Sequence, residues 1–168
     1  MPFATQPNTV PTSSKAGVLT GLITLDRIRC DIAISSQKRL LEELAILLVE
    51  HSTALDKDTV FRVLIERERL GSTGIGAGIA LPHGRLNGIN ECVAALIRLK
   101  QPLDFDAPDQ QPISLAVALL VPAEASGEHL QTLASLAHLF DDIERRNDII
   151  NAVDAVTLLQ LFTSTIPG

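Results

Sequence analysis

The residues best suited to chemistry in this sequence surround His83, which stands between Pro82 and Gly84. The segment that leads into it carries alternate glycines at positions 74, 76 and 78. Glycine lets the backbone turn tightly, and proline fixes one backbone angle before the imidazole, while Gly84 should leave room around the ring. A histidine in a loop is usually a solvated side chain, and that interpretation remains open beside a functional one.

The chemistry that suits this histidine is phosphoryl transfer. A neutral imidazole has a nucleophilic nitrogen near neutral pH, and a phosphorylated ring stays reactive enough to pass the group on. Such a site needs positive charge and hydrogen-bond donors around the phosphoryl oxygens. The sequence offers three cations and two hydroxyls nearby: Arg67, Arg69, Arg85, Ser72 and Thr73. The alternative for each arginine is an ion pair with a glutamate at an exposed helix end, which we prefer for Arg69 and Arg85.

A second histidine, His129, lies at a predicted helix start, where exposed backbone N–H groups favour an anion. If the sheet brings this helix start beside His83, His129 could hydrogen-bond the ring or its phosphoryl group. Considered alone, His129 would be an ordinary polar cap. The other two histidines, His51 and His138, are given no role.

The glycine-rich segment matches neither common nucleotide-binding loop. A P-loop needs Gly-Lys-Ser/Thr at its end, and no lysine follows Gly78. The dinucleotide fingerprint needs a third glycine where Ile79 stands, and a preceding strand where a helix is predicted. The histidines show no metal-ligand spacing and no nucleophile elbow is present, so we expect no metal, no cofactor and no hydrolase.

The elements that position these residues follow from hydrophobic periodicity. Helical spacing predicts helices at about 36–51, 56–69, 128–140, 142–153 and 154–163, and a short helical turn at 24–28. Two strands, Cys92–Leu99 and Ser114–Val121, are apolar on both faces, and Asp31–Ile34 is a shorter one. Strands of that kind lie inside a sheet covered by helices on both sides. We therefore predict a layered α/β fold.

Composition limits the class of protein. The 168 residues suit one compact domain at 21–168 after a polar, flexible tail at 1–20. With no Trp or Tyr and five Phe, the core must be aliphatic. The net charge of −6 argues against nucleic acid. No membrane-spanning run or secretory signal is apparent, so we expect a cytoplasmic protein in which Cys30 and Cys92 are small buried hydrophobes.

The run from Arg67 to Gly84 closely resembles the signature of phosphotransferase-system (PTS) enzyme IIA domains of the fructose/mannitol type (EIIA type 2), and most of all their nitrogen-regulatory branch. The resemblance spans residues 21–163. It implies a three-layer sandwich with a mixed central β-sheet and helices on both faces. It also implies that His83 is the phosphorylated histidine, that Arg67 neutralises the phosphoryl group, and that His129 is the second active-site histidine.

The same resemblance implies a phosphocarrier with a phosphohistidine intermediate, not a stand-alone turnover enzyme. Its donor would be an HPr-like phosphocarrier (NPr), and its output would be signalling to targets such as potassium-transport regulators. Two alternatives stay open. One is a sugar-specific IIA subunit that passes phosphate to a separate IIB domain, and the other is a protein-binding module indifferent to phosphorylation.

Overall fold

The computed structural model describes residues 21–163, so the predicted tail at 1–20 lies outside the described residues. After a 3-10 turn at Leu25–Arg27, the helices of that range are α1 (Gln37–Val49), α2 (Lys57–Leu70), α3 (Gly127–Leu139), α4 (Ile143–Ile150) and α5 (Ala155–Thr163). The strands are β1 (Ile28–Ile32), β2 (Gly74–Gly76), β3 (Ile79–Ala80), β4 (His83–Leu86), β5 (Val93–Leu103) and β6 (Ile113–Pro122). Each helix in this range is too short or too polar to cross a bilayer.

The strands form one mixed sheet in the order β1-β5-β6-β3-β2, with β4 also paired to β6. The long strands β5 and β6 are antiparallel, whereas β1 runs parallel to β5. Both β3 and β4 run parallel to β6, one after the other along the same edge. This pairing places His83 opposite Leu119, so the register with β6 fixes the position of the histidine along the strand direction of the sheet.

Alternate residues of β5 and β6 belong to two separate hydrophobic clusters, one on each face of the sheet. On one face, Leu96 and Leu119 pack with residues of α3, α4 and α5. On the other, Ile97 and Leu120 pack with residues of α1 and α2. Because both faces are covered, the central stretches of these strands, residues 93–97 and 115–121, are apolar, and the predicted α/β three-layer sandwich with a mixed sheet is confirmed.

Short polar side chains begin the helices. Ser36 accepts a hydrogen bond from the Arg39 N–H at 3.1 Å at the start of α1, and Asp56 accepts one from the Thr59 N–H at 3.0 Å at the start of α2. These acceptors satisfy N–H groups that have no partner within the helix. The pKa of the Asp56 carboxyl is lowered by its hydrogen bonds from Thr59, because they favour the ionised form.

Two local predictions were wrong. The first strand lies at 28–32, three residues before the predicted 31–34, because Ile28 and Arg29 pair with Leu96 and Ile97 of β5. The segment around His83 is not a loop: it forms the three short strands β2, β3 and β4. Strands of only two to four residues show no hydrophobic alternation, so their pairing defines them: β3 and β4 pair with β6, and β2 pairs with β3.

Arg98 is an unexpected charge inside the apolar run of β5, with only 6% of its surface exposed. Its guanidinium donates to the carbonyl of Ala152 and, at 3.4 Å, to that of Ile150, at the end of α4. Its Nη2 lies 3.5 Å from the Asp31 carboxylate. A buried guanidinium needs such partners, and here they tie the end of α4 to the sheet.

Candidate functional site

A depression of about 660 Å³ opens beside His83. Residues of α2, β4, β6 and α3 line it: Val63, Glu66, Arg67, Leu70, His83, Gly84, Arg85, Val121, Leu130 and Leu133. The helix end that carries Arg67 and the strand that carries His83 therefore face one open space. Of the predicted site residues, His83, Arg67 and Arg85 meet here.

Gly84 sets how closely α2 approaches this strand. A Cβ atom at position 84 would lie 2.3 Å from the Cγ1 atom of Val63, well inside van der Waals contact. The sequence suggested that this glycine makes room around the imidazole; the structure adds a second requirement, on the side of α2. Glycine is required because the side chain of Val63, on α2, occupies the space a Cβ would need.

We expect Gly84→Ala to lower the free energy of unfolding by about 1–3 kcal/mol, because the added methyl group overpacks the contact with Val63. Chemical denaturation measures this change. Gly127→Ala is the matched control: a Cβ there meets no atom within 4 Å, and stability should not fall. A Val63→Ala/Gly84→Ala double variant should lose less than the two single losses together. Additive losses would contradict the contact.

Ala77 and Gly78 form the turn of the hairpin before the histidine. Ala77 and Gly78 both have positive φ, 56° and 83°, which permits the tight turn between β2 and β3. Asp109 holds the turn from outside, since its Oδ2 accepts the Ala77 N–H at 2.9 Å. That bond and one from the Gln111 N–H lower the pKa of the Asp109 carboxyl. The hairpin is thus fixed on its outer side as well as in the sheet.

The ring of His83 is half-buried, and its Nδ1 lies 2.7 Å from the carbonyl oxygen of Leu81. A carbonyl oxygen can only accept, so Nδ1 carries the proton in this contact. The neutral ring therefore has its lone pair on Nε2. The contact with the backbone therefore leaves Nε2 as the ring nitrogen that is free to accept a bond.

Arg67 is half-buried on the last turn of α2, and its Nη1 donates to the Gly71 carbonyl at 2.8 Å. Its partner is thus the helix end, not the glutamates that the sequence suggested. Arg85, two residues beyond His83, is exposed on the same depression. Arg69 lines a different, smaller depression with Gln37 and Asp106, so it is separate from the histidine's surroundings.

The hydroxyls of Ser72 and Thr73 are engaged elsewhere and do not line the depression. Ser72 Oγ donates to the Phe105 carbonyl at 2.9 Å and accepts the Gly74 N–H at 3.1 Å. Thr73 is buried and donates its hydroxyl to the carboxylate of Glu68. Both side chains hold the turn after α2.

His129 sits on the first turn of α3 and lines a neighbouring polar depression with Asn87, Asn90 and Glu124. Its Nδ1 accepts the Ser126 N–H at 3.1 Å, so the ring caps the helix. A neutral ring that accepts at Nδ1 carries its proton on Nε2 and can donate there. The next residue, Leu130, lines the depression of His83, so the two depressions adjoin along the start of α3.

Sequence reasoning missed the apolar rim of the site. Leu70 and Leu130 line the depression with 85% and 46% of their surfaces exposed. The sequence could have indicated this for Leu70, which lies at the end of an amphipathic helix and outside its apolar stripe. Large exposed leucines beside a polar centre are typical of a surface that contacts another protein.

Comparison with known proteins identifies the class. Residues 21–165 match the family described as phosphoenolpyruvate-dependent sugar phosphotransferase system, EIIA 2, and the chain belongs to this family. A nitrogen regulatory protein from Pseudomonas aeruginosa is 39% identical over 150 residues, which cover 89% of this chain and 97% of that protein.

Two solved structures agree with this. The crystal structure of the nitrogen regulatory protein IIA-Ntr from Neisseria meningitidis matches with a TM-score of 0.78 and 42% identity, covering 84% of this chain and 96% of that one. The IIA mannitol structure from Escherichia coli, at 18% identity and a TM-score of 0.67 over 83% and 98% of the two chains, shares the fold. The nitrogen-regulatory branch predicted from residues 67–84 is thereby confirmed.

Proposed function

We propose that this chain is a histidine-phosphorylated phosphocarrier of the nitrogen-regulatory phosphotransferase system, which accepts its phosphoryl group on Nε2 of His83 from an HPr-like carrier (NPr). The observation that carries the proposal is the hydrogen bond from His83 Nδ1 to the Leu81 carbonyl. It leaves the lone pair of the neutral ring on Nε2, in a half-buried side chain that lines an open depression.

In the proposed step, the Nε2 lone pair attacks the phosphorus of the donor's phosphohistidine. The donor's P–N bond breaks, its electron pair returns to the donor imidazole, and a new P–N bond forms on His83. The ring of His83 gains positive charge as this bond forms. Its Nδ1–H remains on the Leu81 oxygen, which stabilises that charge.

Two cations support this step. Arg67, and more loosely the exposed Arg85, line the depression and can balance the charge of the phosphoryl oxygens. His129, with a donor at Nε2, is the proposed second histidine at the adjoining edge. In this proposal Ser72 and Thr73, whose hydroxyls donate within the turn after α2, support that turn and are not assigned to the phosphoryl group.

The partners are proteins in this proposal. Leu70 and Leu130 offer an apolar rim against which a donor protein can seat its own active histidine. Residues 21–168 would act as one cytoplasmic domain, a PTS transferase component whose phosphorylation state signals to regulatory targets such as potassium-transport regulators. The sugar-specific alternative shares the site and differs only in passing its phosphate to a IIB domain.

The test is stoichiometric labelling from phosphoenolpyruvate through enzyme I and an HPr-like carrier, followed by NMR of the labelled ring. We expect one acid-labile phosphoryl group per chain, on Nε2 of His83. An Nδ1-linked product, or no label on the folded protein, would refute the proposal. Onward transfer of the label to a IIB domain and a sugar would support the sugar-specific alternative instead.

A further inference from the structure

We propose that Glu68 and Thr73 are positioning residues that fix the tautomer and orientation of His83 through a chain of backbone hydrogen bonds. The inference rests on the proposed function of His83 as phosphoryl acceptor. Neither residue lines the depression around His83, so neither touches the reacting atoms.

The chain of hydrogen bonds begins at a buried carboxylate. Glu68 on α2 has 8% of its surface exposed and Thr73 has 5%. Glu68 Oε1 accepts the Thr73 N–H at 2.9 Å, and Oε2 accepts the Thr73 hydroxyl. A third donor, Gln37 Nε2 on α1, lies 3.3 Å from Oε1. A buried carboxylate needs such donors, and two of the three come from one residue beyond the helix.

The backbone continues the connection to the imidazole. The carbonyl of Thr73 accepts the Leu81 N–H at 2.9 Å. The carbonyl of Leu81, on the other side of the same residue, accepts His83 Nδ1 at 2.7 Å. Leu81 itself is buried, with 3% exposed, so its peptide groups are shielded from competing water. The position of the Leu81 carbonyl therefore depends on where Glu68 holds Thr73.

This arrangement also links the two elements that carry the functional side chains. Glu68 follows Arg67 directly on the last turns of α2, while His83 lies at the start of β4. Between these elements the chain runs through the hairpin of β2 and β3. The hydrogen bonds between Glu68 and Thr73 bypass the hairpin, so the helix and the segment before His83 are connected through the one buried side chain of Glu68. The end of α2 that carries Arg67 is thus linked to the segment that carries His83.

The experiment measures the His83 tautomer and the phosphorylation rate separately, on the full chain. Ring ¹⁵N NMR reports whether the neutral imidazole carries its proton on Nδ1 or Nε2, without any phosphate present. Thr73→Val removes the hydroxyl at nearly constant shape, and Thr73→Ser restores it. Glu68→Ala removes the carboxylate, and Asp58→Asn, an exposed acid on the first turn of the same helix, is its control.

We expect an Nδ1–H tautomer in the wild type, Thr73→Ser and Asp58→Asn. In Thr73→Val and Glu68→Ala, the Nε2–H form should grow, and the rate of acceptance should fall about 10-fold or more, because small displacements of reacting groups carry large kinetic costs. Thermal unfolding identifies any variant that fails to fold. If Glu68→Ala fails to fold, Thr73→Val still provides the test.

Wild-type tautomer populations in a folded Thr73→Val or Glu68→Ala variant would overturn the inference, as would equal rates in Thr73→Val and Thr73→Ser. Failure of the proposed function has a different signature. In that case the wild type accepts no phosphoryl group, while the tautomer still shifts in the variants and the positioning role stands.

Discussion

Replacing His83 by alanine is expected to abolish phosphoryl acceptance from the HPr-like donor altogether. The substitution removes the ring nitrogen that would accept the group, and no other ring among the described residues of the depression is hydrogen-bonded to the Leu81 carbonyl. The fold should survive, because the ring is half-buried and its removal costs one hydrogen bond, worth about 0.5–1.5 kcal/mol net. Labelling by phosphoenolpyruvate, enzyme I and carrier, read by intact mass, measures the effect.

His138→Ala is the matched control for this loss. His138 is an exposed histidine on the last turn of α3, with its Nδ1 3.5 Å from an Asp141 carboxylate oxygen. It does not line the depression around His83, so its variant should label like the wild type. Label that persists on His83→Ala would place the acceptor elsewhere and remove the basis of the proposed function.

Replacing Arg67 by alanine should slow phosphoryl acceptance by about 100-fold, the size of effect seen when one preorganised donor to a developing charge is removed. The guanidinium already lies at the depression, held by the Gly71 carbonyl at 2.8 Å. It therefore needs little reorganisation to meet the phosphoryl oxygens. Loss of that single helix-end bond should reduce stability only slightly.

Rapid-quench labelling measures the rate, with Arg62→Ala as control. Arg62 is an exposed arginine on the same helix and does not line the depression. Arg67→Lys keeps the charge but loses the planar pair of donors, so its rate should lie between those of alanine and wild type. An Arg67→Ala rate equal to that of Arg62→Ala would exclude Arg67 from the site.

The fold was predictable where the hydrophobic pattern was strong. The apolar runs around Leu96 and Leu119 indicate strands covered on both faces, and the structure places helices on both sides of them. The pattern fails at β2, β3 and β4, which are too short to show a period. β3 and β4 form because β6, a distant part of the chain, offers them an edge, and β2 then pairs with β3.

The site was predictable in its residue types but not in its contacts. The spacing around His83 suggested phosphoryl chemistry, and the depression brings Arg67 to the same place. Local sequence cannot show that Glu68 is buried against Thr73, since a glutamate at a helix end is usually solvated. Nor can it show which carbonyl accepts the hydrogen bond from Nδ1, because a backbone carbonyl can accept whatever the residue type.

The buried Arg98 has a consequence for how the molecule opens. Its guanidinium donates to carbonyls at and just beyond the end of α4, so peeling this helix from β5 would break hydrogen bonds from a charged donor, each worth about 1.5–3 kcal/mol. Partial opening that starts at α4 is therefore disfavoured. We expect this helix to unfold in the same cooperative unit as the central strands. Its amide protons should then exchange with solvent together with those of the strands, not earlier.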